Sequence, residues 1–235
     1  MKNLFSLKIL IIVVFLLSAA SSFSQSKKER KQKTVGLETG MYNSTESKEA
    51  LAFYSEAEDK ARTKDYKGAI KLYKKAIKED PKFVEAYDNT GVCYRKLGDL
   101  KNAIAYYEKS IELYPNGSMA HMNLGVVYGI QKEYDKAIAE YEIIQKIDPE
   151  DPEGYYGTIN LYLMKRDYKS AIKNATKTLE IYEATDSRHL SEAQYLLGIS
   201  YYYDKDDAKA KIYIEQAKKN GINVNKQVLQ ELGIE

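Results

Sequence analysis

The chain has 235 residues, and its 36 basic and 34 acidic side chains nearly cancel, leaving a formal net charge of +2. No basic stripe follows the sequence pattern, so the composition gives no support for nucleic-acid binding. A single cysteine, Cys93, excludes an internal disulfide, and its place between Val92 and Tyr94 predicts a packed thiol of apolar character.

The first 24 residues have the pattern of a secretory signal peptide. Lys8 precedes the apolar run Ile9–Leu17, and small residues follow that run, as they do before a signal cleavage site. We expect cleavage before Gln25, with a cut after Ala20 as the alternative. The other interpretation is an uncleaved membrane anchor, although the run is shorter than the ~20 residues that cross a bilayer. The sequence therefore predicts an exported protein, periplasmic or secreted, with membrane anchoring through this segment as the alternative.

Residues 25–49 are predicted to form a flexible linker of basic and polar character. Within it, a short basic tract carries five cations against the single carboxylate of Glu29; these are Lys27, Lys28, Arg30, Lys31 and Lys33. Such a tract could touch an anionic surface, but a solvated linker is the simpler interpretation.

From about residue 50 the sequence repeats with a fixed period of 34 residues. The interval separates prolines, alanines and tyrosines alike: Pro81, Pro115 and Pro149; Ala69, Ala103, Ala137 and Ala171; Tyr73, Tyr107 and Tyr141. A fixed period in this range indicates a stack of similar supersecondary units. We place five repeats, starting at residues 50, 84, 118, 152 and 191, in a domain that covers residues 50–224.

Each repeat is predicted to contain two helices. An acidic residue at its sixteenth place suits the start of the second helix, because a carboxylate can accept hydrogen bonds from the free backbone N–H groups there. These residues are Asp65, Asp99, Glu133, Asp167 and Asp206. The prolines are expected to end the second helix. Small residues at the eighth and twentieth places, such as Gly91 and Ala103, predict close packing of the two helices.

Two segments carry a family resemblance. The sequences Asn-Leu-Gly-Val-Val-Tyr at 123–128 and Gly-Asp-Leu-Lys-Asn-Ala-Ile at 98–104 resemble the tetratricopeptide repeat family, and the resemblance covers about residues 50–224. It implies an all-α fold, a right-handed superhelical α-solenoid of about five helix-turn-helix repeats whose first helices line a concave groove. Members of the family are mostly binding scaffolds.

The fourth repeat departs from the pattern. It has Ile159 where a small residue is expected, Thr178 where alanine is usual and Glu183 where proline would stand, so we expect looser packing there. About five extra residues around 186–190 predict a longer connection before the fifth repeat. The segment 225–235 continues with apolar residues and is predicted to form a capping helix.

The groove implied by the resemblance is the candidate binding site. Its predicted partner-binding residues are Tyr54, Asn89, Met122, Asn123, Val126, Ile130, Tyr156, Asn160 and Tyr195. Methionine and tyrosine favour an apolar or helical partner, while the asparagine amides could bond a peptide backbone. Tyr54 and Glu58 stand where members that clamp a terminal carboxylate carry a clamp residue, so no carboxylate clamp is expected. The other interpretation is that several of these side chains pack against neighbouring repeats.

Catalytic and cofactor-binding patterns are missing from the sequence. His121 and His189 are its only histidines; they lack the spacing of metal ligands and are interpreted as lone surface residues. No catalytic residue, metal or cofactor is predicted, and no small-molecule substrate is evident. The sequence predicts an exported, non-enzymatic scaffold that binds a peptide, helix or protein surface in its groove. The alternative is a structural envelope module that associates with further copies of itself.

Overall fold

A computed structural model describes residues 45–235, and within that range every regular element is an α-helix. The helices are α1 (Lys48–Arg62), α2 (Tyr66–Glu79), α3 (Val84–Lys96), α4 (Leu100–Leu113), α5 (Ser118–Ile130), α6 (Tyr134–Ile147), α7 (Pro152–Lys165), α8 (Tyr168–Ala184), α9 (Leu190–Asp204), α10 (Asp207–Lys219) and α11 (Lys226–Glu231). The all-α class predicted from the sequence is confirmed. The expected signal peptide, its cleavage site and the linker up to residue 44 lie outside the described residues.

The described chain falls into two compact units. Unit 1 ends at Gln131 and contains α1 to α5; unit 2 spans Lys132–Glu235 and contains α6 to α11. Inside each unit, helices that follow one another in sequence pack together, from α1 against α2 to α4 against α5 and from α6 against α7 to α9 against α10. Nearest-neighbour packing of this kind is typical of a repeat protein, because each repeat buries its apolar side against the next.

Acidic side chains begin most of the second helices, as predicted. At four of them an aspartate is the N-cap, and its carboxylate accepts a hydrogen bond from the backbone N–H three residues later; these are Asp65, Asp99, Asp167 and Asp206. Glu133 is also an N-cap, but its side chain makes no capping hydrogen bond, since glutamate is not among the preferred capping residues. The first helices begin within two residues of the predicted repeat starts.

Proline determines where the second helices stop. Helices α2, α4 and α6 have 14 residues each and end two residues before a proline. In α8 the equivalent position is Glu183, and the helix continues to Ala184, which gives it 17 residues. The connection after α8, residues 185–189, is only one residue longer than those after the other three. The prediction of a long connection is therefore wrong. Without a proline at this position, most of the extra residues extend the helix.

Small residues allow paired helices to approach closely. A β-carbon added to Gly91 in α3 would lie 2.5 Å from Cε1 of the buried Tyr107 in α4, closer than real contacts allow. In unit 2, a β-carbon added to Gly198 in α9 would lie 2.8 Å from Cγ1 of Ile214 in α10. Each glycine costs its helix about 0.5–1 kcal/mol relative to alanine, and the large side chain that occupies the space offsets this cost.

The fourth repeat exchanges the large and the small residue. Ile159 in α7 takes the place that Gly91 has in α3, and Ala175 in α8 takes the place of Tyr107 in α4. Ile159 and Ala175 are fully buried in one apolar cluster. Thr178 is fully buried as well, and its hydroxyl donates to a backbone carbonyl one turn earlier in α8. The looser packing predicted here is not found, because the volume has moved from one helix to the other.

The C-terminal segment that was predicted as a cap contains the short helix α11. Val228 in this helix and Leu232 just after it belong to a buried cluster with Tyr202 and Ile214. The Tyr202 hydroxyl donates a hydrogen bond to the carboxylate of Glu231. Helix α11 therefore covers apolar side chains of the last helix pair, α9 and α10.

Candidate functional site

The nine predicted groove residues differ in their accessibility. Ile130 is 40% exposed, and five others are half-buried, namely Tyr54, Asn89, Tyr156, Asn160 and Tyr195. Met122, Asn123 and Val126 are only 5%, 3% and 3% exposed. The first six side chains can therefore reach a partner at the surface, whereas the last three cannot do so in this structure.

The assignment of Met122, Asn123 and Val126 to an accessible groove needs correction. All three lie in α5, where every residue from His121 to Val127 is buried. A helix that is apolar around most of its circumference is expected to be buried on all sides, and the 122–127 segment of α5 carries one polar residue among five apolar or small ones. In the third repeat, only Ile130 among the predicted residues remains available.

In unit 1 a hydrogen-bonded network joins the two first helices α1 and α3. The side-chain amide of Asn89 donates to the hydroxyl of Tyr54 at 2.7 Å and to Oε1 of Glu58 at 3.1 Å. The hydroxyl of the buried Tyr73, in α2, donates to the same carboxylate oxygen. These bonds fix an amide, a phenol and a carboxylate before any partner arrives.

Aromatic contacts hold Tyr54 from the other side. Its ring centroid lies 5.4 Å from that of Tyr73 and 4.8 Å from that of Phe83, within the range of favourable ring pairs. Both neighbours are buried. Because the ring is packed and the hydroxyl is bonded, Tyr54 has little rotameric freedom to lose on binding.

Three carboxylates lie close enough to Tyr54 to affect its ionisation. Burial, followed by the charges of Glu58, Glu85 and Asp88, raises the pKa of Tyr54 well above its ordinary value. The phenol therefore stays protonated and remains a hydrogen-bonding group over the physiological pH range. We call the half-buried set Tyr54, Glu58, Glu85 and Asn89 the unit 1 acidic face; Asp88, whose charge also acts on Tyr54, is buried.

Arg95 lies about two turns beyond Asp88 in α3. It is buried, and its charge acts inward: it opposes the rise that burial causes in the pKa of Tyr107.

Unit 2 presents a related surface on its first helices α7 and α9. Burial, followed by the charges of Glu153 and Glu192, raises the pKa of Tyr156. Burial also raises the pKa of Tyr195, which packs beside Tyr203. We call this set the unit 2 tyrosine face; it consists of Glu153, Tyr156, Asn160, Glu192 and Tyr195.

Sequence reasoning missed Glu153 and Glu192 as members of the groove. Both occupy the second place of their repeats, as Glu85 does in unit 1. Three of the five repeats thus carry glutamate at one groove position, and this periodic charge was the signal that could have found them.

The remaining chemical groups have structural roles. The prediction that His121 is a surface residue is wrong. It is 5% exposed, and its Nε2 lies 3.0 Å from the carbonyl oxygen of Pro115. Cys93 is buried, and burial together with the nearby charge of Glu58 raises its pKa to about 12. Within residues 45–235, no cluster of three or more His, Cys, Asp or Glu side chains could hold a metal ion. In the same range, no helix combines the length and apolarity needed to cross a membrane.

Comparison with protein families identifies the repeats. Three tetratricopeptide repeat models match residues 54–118, 106–139 and 192–220. The matched segments include most of unit 1 and the α9/α10 pair of unit 2. Together with the helix pairs and the 34-residue period, they support the assignment of this chain to the tetratricopeptide repeat proteins.

Solved structures of other helical repeat proteins share the fold. A crystal structure of MamA has a TM-score of 0.62 at 24% identity, covering 70% of this chain and 93% of its own. PilF of Pseudomonas aeruginosa has a TM-score of 0.66 at 18% identity, and the match covers 78% of this chain and 81% of PilF. YrrB, described as a TPR protein with an unusual peptide-binding site, has a TM-score of 0.61 at 17% identity. That match covers 78% of this chain and 91% of YrrB. No curated protein matches the sequence significantly.

Proposed function

We propose that this protein is a non-enzymatic binding scaffold that holds a peptide or protein segment against its first helices. The observation that carries the proposal is the network of Tyr54, Glu58 and Asn89, which is built before binding on a half-buried surface. Preorganised polar groups lower the ordering cost of association, and a tyrosine offers both ring area and a hydroxyl.

The chemistry of the accessible residues suggests the partner. The predicted methionine and valine anchors are buried, so a purely apolar helical partner loses its main support. The two faces instead offer tyrosine rings beside carboxylates and side-chain amides. We propose an extended or helical segment that places apolar groups on the rings and hydrogen-bond donors or cations on the carboxylates. The similarity in fold to YrrB, described as having a peptide-binding site, supports this class of partner.

We further propose that the protein is exported and that its first 24 residues are removed. The support is the sequence pattern of Lys8 followed by Ile9–Leu17 and small residues. Intact-mass measurement of the protein from its host should give a chain that begins at Gln25. A chain that retains Met1 in the membrane fraction would favour the anchored alternative.

The experiment for binding compares matched pairs of substitutions within unit 1. Tyr54→Ala with Asn89→Ala removes the network, whereas Tyr94→Ala with Asn102→Ala removes the same residue types from another surface of unit 1. Both variants and the parent are used to capture proteins from the host's own extract, with quantitative mass spectrometry. We expect one or more partners of the parent to be lost with the first variant and kept with the second. Truncation of such anchors commonly costs more than about 1 kcal/mol of binding free energy.

Two results would contradict the proposal. If the first variant remains helical and keeps every partner of the parent, the unit 1 acidic face is not the binding site. If the parent instead shows a concentration-dependent mass by sedimentation, and that mass falls in the first variant, the face joins copies of the chain. The self-associating module would then replace the scaffold.

A further inference from the structure

The unit 2 tyrosine face contains a carboxylate oxygen that the rest of the protein does not hydrogen-bond. Oε2 of Glu192 is shielded from solvent, and within residues 45–235 no group donates a hydrogen bond to it. We propose that this face binds a lysine or arginine side chain of the partner, which pairs with Glu192 and lies against the rings of Tyr156 and Tyr195. The inference rests on the proposed function, because it names the partner chemistry that one of the two faces recognises.

The position of Glu192 explains its charge but not its lack of a hydrogen-bond donor. The residue lies in the first turn of α9, where the helix dipole favours a negative charge. A carboxylate oxygen that has left water without gaining a hydrogen bond is nevertheless costly to the protein. The residue as a whole is only half-buried, so a side chain of another molecule can reach it. A bound lysine or arginine supplies both the opposite charge and N–H donors.

Glu192 differs from the other carboxylates of the two faces in being available. Glu153 already interacts within the protein, and Glu58 of unit 1 accepts hydrogen bonds from two neighbouring side chains. Burial and then the charges of Glu153 and Glu192 raise the pKa of Tyr156, and no cation of residues 45–235 opposes them. A cation of the partner therefore does not have to displace one that belongs to unit 2.

The tyrosine rings of this face suit the same kind of side chain. Tyr156 in α7 and Tyr195 in α9 are half-buried and pack against one buried apolar cluster, and the two helices contact each other. Aromatic faces attract ammonium and guanidinium groups. Unit 2 uses this contact elsewhere, because Nζ of Lys209 lies 5.0 Å from the centroid of the Tyr201 ring. Since packing holds the two rings in place, little ordering is needed when a cation binds.

The test uses peptides selected from a random-peptide library on the purified protein. Each selected peptide is made again with one lysine changed to norleucine, or one arginine changed to citrulline, which removes the charge and keeps the length of the side chain. Fluorescence anisotropy then gives the Kd of each peptide for the parent and for Glu192→Gln. The matched control is Glu180→Gln, which changes an exposed glutamate in α8 of the same unit.

We expect one lysine or arginine in each peptide whose neutral replacement raises the Kd for the parent at least about tenfold, as loss of one member of a desolvated charge pair does. Glu192→Gln should raise the Kd of the charged peptide by a similar factor, and it should not affect the neutral peptide. Glu180→Gln should change neither value. Tyr156→Leu should weaken the charged peptide more than the neutral one, because it removes a ring that attracts the cation. Circular dichroism shows whether each variant is folded.

Three results would overturn the inference. The selected peptides could bind equally well without their cations, or the effect of the cation could persist in folded Glu192→Gln. In both cases the scaffold function stands if Tyr54→Ala with Asn89→Ala abolishes peptide binding. The third result is a library that yields no binder at all. The proposed function is then contradicted as well only if the parent also captures no partner from the host extract.

Discussion

The α3/α4 pair of unit 1 and the α7/α8 pair of unit 2 pack the same kind of interface with opposite residues. In α3/α4 the small residue is Gly91 and the large one is Tyr107, while in α7/α8 the first helix carries Ile159 and the second carries Ala175. All the side chains concerned are fully buried. The comparison teaches that the repeat requires one large and one small partner at this contact, and not a small residue at a particular place.

The pairs also differ in the length of their second helix. Pro115 follows the end of α4, which has 14 residues, whereas Glu183 lets α8 continue to 17 residues. The fourth repeat thus differs from the pattern in two separate ways: it lacks the proline at its end, and it exchanges the large and the small residue at its centre. The first changes helix length through the backbone, and the second exchanges volume between side chains.

The largest predicted effect tests the volume exchange in α3/α4. Tyr107→Ala should lower the free energy of unfolding by about 3–5 kcal/mol, as truncation of a buried aromatic residue does. Adding Gly91→Ile to that variant should recover part of the loss, because it recreates the residue pair found in α7/α8. Gly91→Ile alone should destabilise by about 1–3 kcal/mol, since its side chain meets the Tyr107 ring.

Urea denaturation of the parent, both single variants and the double variant forms a complete cycle. We expect a favourable coupling of at least about 1 kcal/mol, in the range found for residues in direct contact. If the two changes were additive, the two sites would not share one space, and the comparison between the pairs would fail.

A somewhat smaller effect is expected in α7/α8. Ile159→Ala should cost about 2–5 kcal/mol, because it leaves a cavity in a fully buried cluster. The matched control is Ile212→Ala in the same unit, where the isoleucine is exposed, and it should change stability by less than about 0.5 kcal/mol. Similar unfolding midpoints for the two variants would mean that Ile159 does not fill the interface as described.

The smallest predicted effect lies where the two pairs agree, at the start of the second helix. Asp167 caps α8 through the N–H of Ser170 at 3.1 Å, and Asp167→Ala should cost about 0.5–1 kcal/mol. Glu133→Ala, at the N-cap of α6, should cost less, because no side-chain capping bond is lost. Thermal unfolding of the two variants at neutral pH measures the difference, and a larger loss for Glu133→Ala would contradict it.

The capping bond also predicts a pH dependence. Hydrogen bonds from Ser170 lower the pKa of Asp167 below its unfolded value, so its contribution is complete above that value and is lost as pH falls through the lower, folded-state pKa. The melting temperatures of the parent and Asp167→Ala should therefore converge in acid. A difference that stays constant from neutral to strongly acid pH would exclude a charged cap.

The helices could be predicted closely because their signals are local. Acidic N-caps and prolines such as Pro115 act through the backbone of the same segment, so the period alone locates them. The burial of Met122, Val126 and His121 could not be predicted in this way, because it depends on how much of α5 its surroundings cover. The hydrogen bonds among Tyr54, Glu58 and Asn89 could not be predicted either, because they join residues that are 31 and 35 positions apart in the sequence.

Site-specific photo-crosslinking tests the central claim, that the unit 1 acidic face holds a partner, most directly. A photo-reactive phenylalanine analogue can replace Tyr54 on this face or Tyr94 on another surface of unit 1, in the protein produced by its own host. We expect a covalent adduct with a partner at position 54 and none at position 94. Adducts at position 94 alone, from a folded protein, would contradict the account and assign the binding site to another surface of unit 1.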